Sequence, residues 1–241
     1  MRVAVIQLVD DGQSRTALLQ SALDGIDEAA EQIPPPDLVV LPAFADIART
    51  RSGDITFVER IEGPTSAACA QRARSWGIFV AFGMAARDGG QVFAASLLLD
   101  SDGDIRLQHR QTGNEGVKHL CSGKQVKSAE TILGRLVLLC CEEIYEPECW
   151  AQAAAAGAKL IVGTHCGCGP ERALEMANLS RAHRMPAAIA NMTIKKNRPE
   201  SQGGSLILDS TGARIAEVAN NEYGVMATTL DLTNKSNSRL S

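Results

Sequence analysis

The sequence predicts a layered α/β fold in which helices cover β-sheets. Strand-like and helical segments alternate along the chain, which is typical of parallel pairing. Several strands are continuously apolar, as in 37–42 and 159–163, and such strands are buried on both faces. These patterns fit two face-to-face sheets with helices outside, an α-β-β-α sandwich, but they fit a single doubly wound sheet as well.

The strands follow from apolar runs and the turns that bound them. Ser101-Asp102-Gly103 separates two runs and predicts a hairpin, and a second antiparallel hairpin is expected over 204–230. The predicted strands are 1–9, 37–42, 78–82, 91–100, 104–110, 136–140, 159–163, 186–191, 203–209 and 223–232.

Capping and stop signals predict four helices. Ser14 caps the first helix, which runs to about Gln32 before three prolines, and Gly157 stops the third. The predicted helices are 15–32, 64–76, 147–156 and 170–184, and the polar segments 44–62 and 111–128 are expected to be irregular. We expect one domain over 1–232 followed by a polar tail, 233–241.

Composition argues against several classes of protein. The 241 residues are 45% apolar and 22% charged with a net charge of −4, so no broad basic field attracts nucleic acid or an anionic membrane. No apolar run reaches the roughly 20 residues of a membrane span. The N-terminal segment is predicted to be a strand rather than a signal peptide.

Seven cysteines, an odd number, indicate a reducing compartment, and we expect a cytoplasmic protein. His165 next to Cys166-Gly167-Cys168 is the only hint of zinc, and a second ligand pair at zinc spacing is missing. We therefore expect no metal and no cofactor.

The carboxyl ends of the parallel strands are where functional groups gather. If helix 147–156 is a right-handed crossover, the strands before Cys141 and His165 lie in one sheet and end at one edge. A cysteine at such a corner is a candidate nucleophile with a neighbouring N–H as oxyanion donor. The alternative is that Cys140 and Cys141 are both small core residues.

Four segments carry a family resemblance. The segment 139–148, LCCEEIYEPE, resembles the nucleophile motif of the nitrilase (carbon–nitrogen hydrolase) superfamily. The strand 37–42, the segment 123–141 and the hairpin 203–212 resemble further parts of the family pattern, so the similarity spans nearly the whole chain. The resemblance implies the α-β-β-α sandwich and, commonly, a homodimer.

The resemblance also implies a Cys nucleophile, a Glu base and a Lys that stabilises the oxyanion. The nucleophile falls on Cys141, but the Glu position falls on Ala43 and the Lys position on Gln111. Ala43 cannot accept a proton, whereas the Gln111 amide can donate a hydrogen bond without the charge of a Lys.

His165 is the candidate that compensates for the absent Glu, because an imidazole can deprotonate a thiol at neutral pH. The alternative is that His165 lines the pocket or the surface without a catalytic role. Glu115, Glu142 and Glu143 are candidate supporting acids, with a structural role expected for Glu143, and Thr164 lies at the same strand end.

Three functions remain open at this stage. The first is a cysteine acyl-transfer enzyme acting on the C–N bond of a small amide or nitrile. The second is a pseudoenzyme that binds a ligand or a partner subunit, and the third is non-hydrolytic biosynthetic chemistry in the same pocket.

Overall fold

The computed structural model describes residues 1–44, 58–113, 120–167, 169–195 and 202–232. In these ranges the chain forms two β-sheets that pack face to face between two pairs of helices. This is the α-β-β-α sandwich, and the single doubly wound sheet is excluded.

The first sheet has seven strands in the order β10-β1-β2-β3-β4-β5, with β13 also paired to β1. Its parallel core is β1-β2-β3, and β4 and β5 form the predicted hairpin. The strands are β1 (Arg2–Asp10), β2 (Leu38–Ala43), β3 (Phe79–Asp88), β4 (Gln91–Leu99), β5 (Ile105–Arg110), β10 (Met192–Ile194) and β13 (Gly224–Thr229).

The second sheet has six strands in the order β12-β11-β9-β8-β7-β6. Its centre, β7-β8-β9, is parallel. The strands are β6 (Ser128–Thr131), β7 (Gly134–Cys140), β8 (Leu160–Thr164), β9 (Ala187–Ala190), β11 (Leu206–Leu208) and β12 (Arg214–Glu217).

The hairpin expected over 204–230 was wrong in its pairing. Its first strand, β11, pairs with β12, which the sequence analysis missed. Its expected second strand corresponds to β13, which crosses to the other sheet and lies antiparallel to β1 from Arg2 to Gln7. The N-terminal ammonium also donates to the Leu230 carbonyl, 3.2 Å away. β1 is therefore enclosed by strands from both ends of the chain.

The helices are α1 (Arg15–Ala30), α2 (Pro64–Trp76), α3 (Pro147–Ala155) and α4 (Ala173–His183). The Ser14 hydroxyl accepts the Ala17 N–H, as its capping role requires. The last helix begins later than expected, because residues 170–172 form a separate 3₁₀ turn. Among the described residues, no helix combines the length and apolarity needed to cross a bilayer.

Three apolar clusters correspond to the three interfaces between the four layers. One lies between the sheets and includes Val40 and Val162; a second lies under α1 and α2, and a third under α3 and α4. The sheets are also joined by a 2.6 Å hydrogen bond between the hydroxyls of Ser96 and Thr164. This packing fixes the strand ends of the two sheets relative to each other.

Candidate active site

Cys141 stands at a sharp corner at the end of β7. Its φ is 54°, in the left-handed region that non-glycine residues rarely adopt, and a 3₁₀ turn (Cys141–Tyr145) starts there. Cys141 is partly exposed, whereas Cys140 is completely buried. The corner therefore carries the Cys141 side chain out of the strand. Of the two cysteines, only Cys140 is a buried core residue.

The predicted crossover brings His165 to the same sheet edge. β7 and β8 are parallel, with Cys140 opposite Thr164 as the last pair, so Cys141 and His165 are the next residues on adjacent strands. Neighbouring strands lie about 4.8 Å apart. The expected proximity of these two chain positions is confirmed.

Ala43 joins this edge from the other sheet. Its N–H donates to the His165 carbonyl over 3.0 Å, and its side chain is completely buried. A Cβ built on Gly83 would lie only 2.8 Å from the Ala43 Cα and 2.7 Å from the Thr164 hydroxyl. Ala43 is therefore a close-packed point beside His165, and the Thr164 hydroxyl is occupied in holding the sheets together.

Glu143 is a buried carboxylate that holds the corner in place. Its Oε2 accepts the Cys140 N–H at 2.8 Å and the His109 Nε2–H at 2.6 Å. Its Oε1 accepts the N–H and the hydroxyl of Thr112, both at 2.7 Å. Burial would raise the pKa of the Glu143 carboxyl, but the hydrogen bonds from His109, Thr112 and Cys140 outweigh it and the pKa is lowered. Glu143 therefore stays ionised, in the structural role expected of it.

Gln111 follows β5 and is positioned by its own backbone. Its N–H donates to the Ala94 carbonyl and its carbonyl accepts the Gly123 N–H. The residue is largely buried and lines a cavity of about 520 Å³. Because Glu143 holds both the next residue, Thr112, and the cysteine corner, Gln111 is fixed relative to Cys141.

His165 is buried between two oxygen atoms. Its Nδ1 lies 3.4 Å from Asn191 Oδ1, and its Nε2 lies 3.3 Å from Glu142 Oε1. Asn191 Oδ1 also accepts the Met192 N–H while its Nδ2 donates to the Gly203 carbonyl, which fixes the orientation of the amide. Each ring nitrogen thus faces an oxygen atom that can accept a hydrogen bond from it.

Glu142 connects His165 to an arginine. Its Oε2 lies 2.5 Å from Arg172 Nη1, and the guanidinium stacks 3.3 Å above the Tyr145 ring. The Tyr145 ring in turn meets the His165 ring edge-on, with centroids 5.4 Å apart. The hydrogen bond from His165, opposed by burial and reinforced by Arg172, lowers the pKa of Glu142 to about 2. Glu142 is therefore an anion that lies between His165 and Arg172.

The cavity lies beside the residues that follow Cys141. Its charged lining residues are mostly acidic, and Arg172 is the cationic group among the described residues that line it. The lining consists of Gln111, Thr112, Gly113, Glu142, Glu143, Glu146, Glu148, Cys149, Gln152 and Arg172. Burial, reinforced by the charge of Glu143, raises the pKa of the Cys149 thiol in this wall to about 11, so this second thiol is expected to be unreactive.

Several members of the site are not predicted from the sequence. Asn191 ends a strand next to β8, and the strand-end rule that selected His165 would have selected it as well. His109, Tyr145 and Arg172 had no such signal, because their roles depend on contacts across elements. Glu115 and Cys168 lie outside the described residues. Within the described ranges, no group of three or more His, Cys, Asp or Glu side chains is arranged to hold a metal ion.

Replacing Glu143 is predicted to loosen the corner. Glu143→Gln replaces one carboxylate oxygen with an NH₂ group. This NH₂ group would face an N–H or O–H group that now donates to the oxygen, so a buried donor would lose its acceptor. We expect the free energy of unfolding in urea to fall by about 3 kcal/mol. Glu148→Gln is the matched control, since Glu148 is exposed on the same segment. Equal stability of the two variants would contradict the role given to Glu143.

Replacing Glu142 is predicted to remove a pH-dependent part of the stability. Its pKa is about 2 in the folded state against 4.5 in the unfolded state, so its contribution is complete above pH 5, declines as the pH falls below 4.5 and is lost near pH 2. Because the side chain is 46% exposed, solvent screening limits this contribution to about 1 kcal/mol.

The measurement is urea unfolding of wild type and Glu142→Gln from pH 7 to pH 3. We expect the difference between the two proteins to narrow toward pH 3. Glu217→Gln, which removes a surface partner of Arg214, serves as the control. A difference that stays constant over this range would show that the Glu142 carboxylate is not stabilised as described.

Comparisons with known proteins agree with this architecture. A family model described as carbon–nitrogen hydrolase matches residues 2–237. A segment of 82 residues is 33% identical to the arylacetone-specific nitrilase of Alcaligenes faecalis; it covers 32% of this chain and 23% of that enzyme, so the match spans less than a quarter of the nitrilase.

Two solved structures share the fold over almost their whole length. One is an amidase from Nesterenkonia sp., a Glu-to-Gln variant with acrylamide added to its active-site cysteine (TM-score 0.81, 19% identity, covering 98% of this chain and 96% of that one). The other is a carbon–nitrogen hydrolase from Helicobacter pylori (TM-score 0.82, 16% identity, covering 96% and 89%). With the family model matching nearly all of its sequence, the chain belongs to the carbon–nitrogen hydrolase family.

Proposed function

We propose that this protein is a cysteine acyl-transfer enzyme that acts on the C–N bond of a small amide or nitrile, with Cys141 as the nucleophile. The observation that carries the proposal is the corner itself. Cys141 is held at a positive φ, partly exposed, by a buried carboxylate that also fixes Gln111. Strained backbone of this kind costs about 1–3 kcal/mol and persists where the surroundings enforce it.

In this proposal His165 takes the proton of the Cys141 thiol, because the site lacks the family Glu. The resulting imidazolium is stabilised by Glu142 and Asn191, whose oxygen atoms face its two nitrogens. An imidazolium beside the sulfur favours the thiolate, as a lysine ammonium would. One side chain thereby supplies both the base and the positive charge that the resemblance places at Ala43 and Gln111.

With an amide substrate, the thiolate attacks the carbonyl carbon and forms a tetrahedral oxyanion. With a nitrile it forms a thioimidate, whose nitrogen takes the proton from His165 and to which water adds before ammonia leaves. The Glu142 N–H and the Gln111 side-chain amide are the proposed donors to that oxygen. Collapse of the intermediate expels the amine, which receives its proton from His165, and water then hydrolyses the thioester. A neutral donor stabilises the oxyanion less than an ammonium does, so we expect slower acylation than a Lys would give.

A pseudoenzyme is the second candidate, and the packing at Ala43 favours it. The close-packed alanine offers no titratable group, and Gln111 adds no charge. In this case the cavity of about 520 Å³ would bind a small ligand without turnover.

The homodimer, the single domain over 1–232 and the cytoplasmic location also stay predictions.

Labelling with acrylamide tests the proposed nucleophile. We expect intact-protein mass spectrometry at pH 7.5 to show the addition of one acrylamide, and peptide mapping to place it on Cys141. Cys149 is the internal control, since a thiol with a pKa of about 11 is almost entirely protonated at that pH. His165→Gln should slow the labelling at least tenfold. Labelling of Cys141 no faster than of Cys149 would reject the proposal and favour the pseudoenzyme.

Gln111→Ala tests the oxyanion donor. With an activated ester as acyl donor, we expect acylation of Cys141 to slow by about 100-fold while acrylamide labelling changes little, because the loss acts on the tetrahedral intermediate and not on the thiolate. Gln152→Ala, in the same cavity wall but beyond the cysteine corner, is the control. Equal loss of both reactions in Gln111→Ala would indicate a structural effect instead.

A further inference from the structure

The sulfur atoms of Cys140 and Cys141 lie 3.7 Å apart. Successive side chains in a β-strand point to opposite faces, so neighbouring residues normally hold their side chains apart. Here Cys140 has ordinary extended backbone, with φ −117° and ψ 130°, while Cys141 has a φ of 54°. The change of backbone conformation between the two residues turns both sulfurs toward each other.

The two thiols differ in access to solvent. Cys141 is partly exposed, and Cys140 has no exposed surface. A small oxidant that enters the site therefore meets Cys141 first. Cys140 is placed behind it, in contact with the sulfur that reacts.

The backbone around the pair is anchored on the Cys140 side. The Cys140 N–H is bound by Glu143, and β7 pairs with β8 up to Cys140 opposite Thr164. Cys141 begins a short turn beyond that ladder. Closing a disulfide requires the sulfurs to approach from 3.7 Å to about 2.04 Å, and the Cys141 side chain lies on the partly exposed side of the pair.

We propose that Cys140 and Cys141 form a covalent modification site, a vicinal dithiol that a hydroperoxide converts into a disulfide. The Cys141 thiolate attacks the peroxide oxygen, which gives a sulfenic acid and releases water or an alcohol. The Cys140 thiol then attacks the Cys141 sulfur, forming the S–S bond and releasing water. The two cysteines together lose two electrons, which reduce one peroxide.

The disulfide protects the exposed sulfur from further oxidation. A sulfenic acid without a neighbouring thiol proceeds to the irreversible sulfinic and sulfonic acids. A disulfide is instead returned to two thiols by an external thiol. This inference does not depend on the proposed function, because it concerns oxidation of the pair and not turnover of a substrate.

The sequence provides a convenient peptide for the test. A protease that cleaves after glutamate releases residues 131–142, which contain Cys140 and Cys141 and no other cysteine. The protein is treated with a small excess of hydrogen peroxide, unfolded in a denaturant that contains iodoacetamide to alkylate free thiols, and digested. We expect this peptide to lose two hydrogen atoms, to resist alkylation, and to bind two alkyl groups after treatment with dithiothreitol.

Cys140→Ala and Cys140→Ser are the matched variants, the second preserving the size of the side chain. Each should convert the same peptide into a form that has gained two or three oxygen atoms and that dithiothreitol does not restore. A wild-type peptide that gains oxygen as the variants do would overturn the proposal. So would a peptide that remains fully alkylated, or one linked to a different cysteine-containing peptide.

Discussion

A single ionised carboxylate, that of Glu143, joins the ends of two strands that lie in different sheets. It receives four hydrogen bonds: one from His109 near the end of β5, two from Thr112 just beyond that strand, and one from Cys140, the last residue of β7. Burying a charge is costly unless it is fully hydrogen-bonded. The oxygens of Glu143 can be satisfied only when both sheets are assembled, so the geometry of the cysteine corner is coupled to the integrity of the whole sandwich.

The proposed mechanism uses a different set of charged groups from the one that the family resemblance implies. The family pattern would place a carboxylate at Ala43 and an ammonium at Gln111, which form a pair of opposite charges. Here a different pair of opposite charges, Glu142 and Arg172, lies next to His165. In the proposed mechanism the imidazole provides what two side chains from different strands would otherwise provide.

Much of this structure could be predicted from the sequence, because the layers depend on apolar patterning and the corner on a recognisable segment. The proximity of Cys141 and His165 could be predicted from chain order, because a right-handed crossover places their strands side by side. Pairings that join distant segments could not be predicted this way: β13 is apolar enough for either sheet, and only packing decides that it joins β1. The hydrogen bond from His109 to Glu143 and the stacking of Arg172 on Tyr145 likewise have no local signal.

The enclosure of β1 has a consequence for how the molecule is made. β1 must wait for a partner strand that is synthesised more than two hundred residues later, since Arg2 pairs with Thr229. Contacts of such long range slow folding and leave a strand edge open to wrong partners. The edge of β1 therefore stays open to misassembly until β13 has been synthesised.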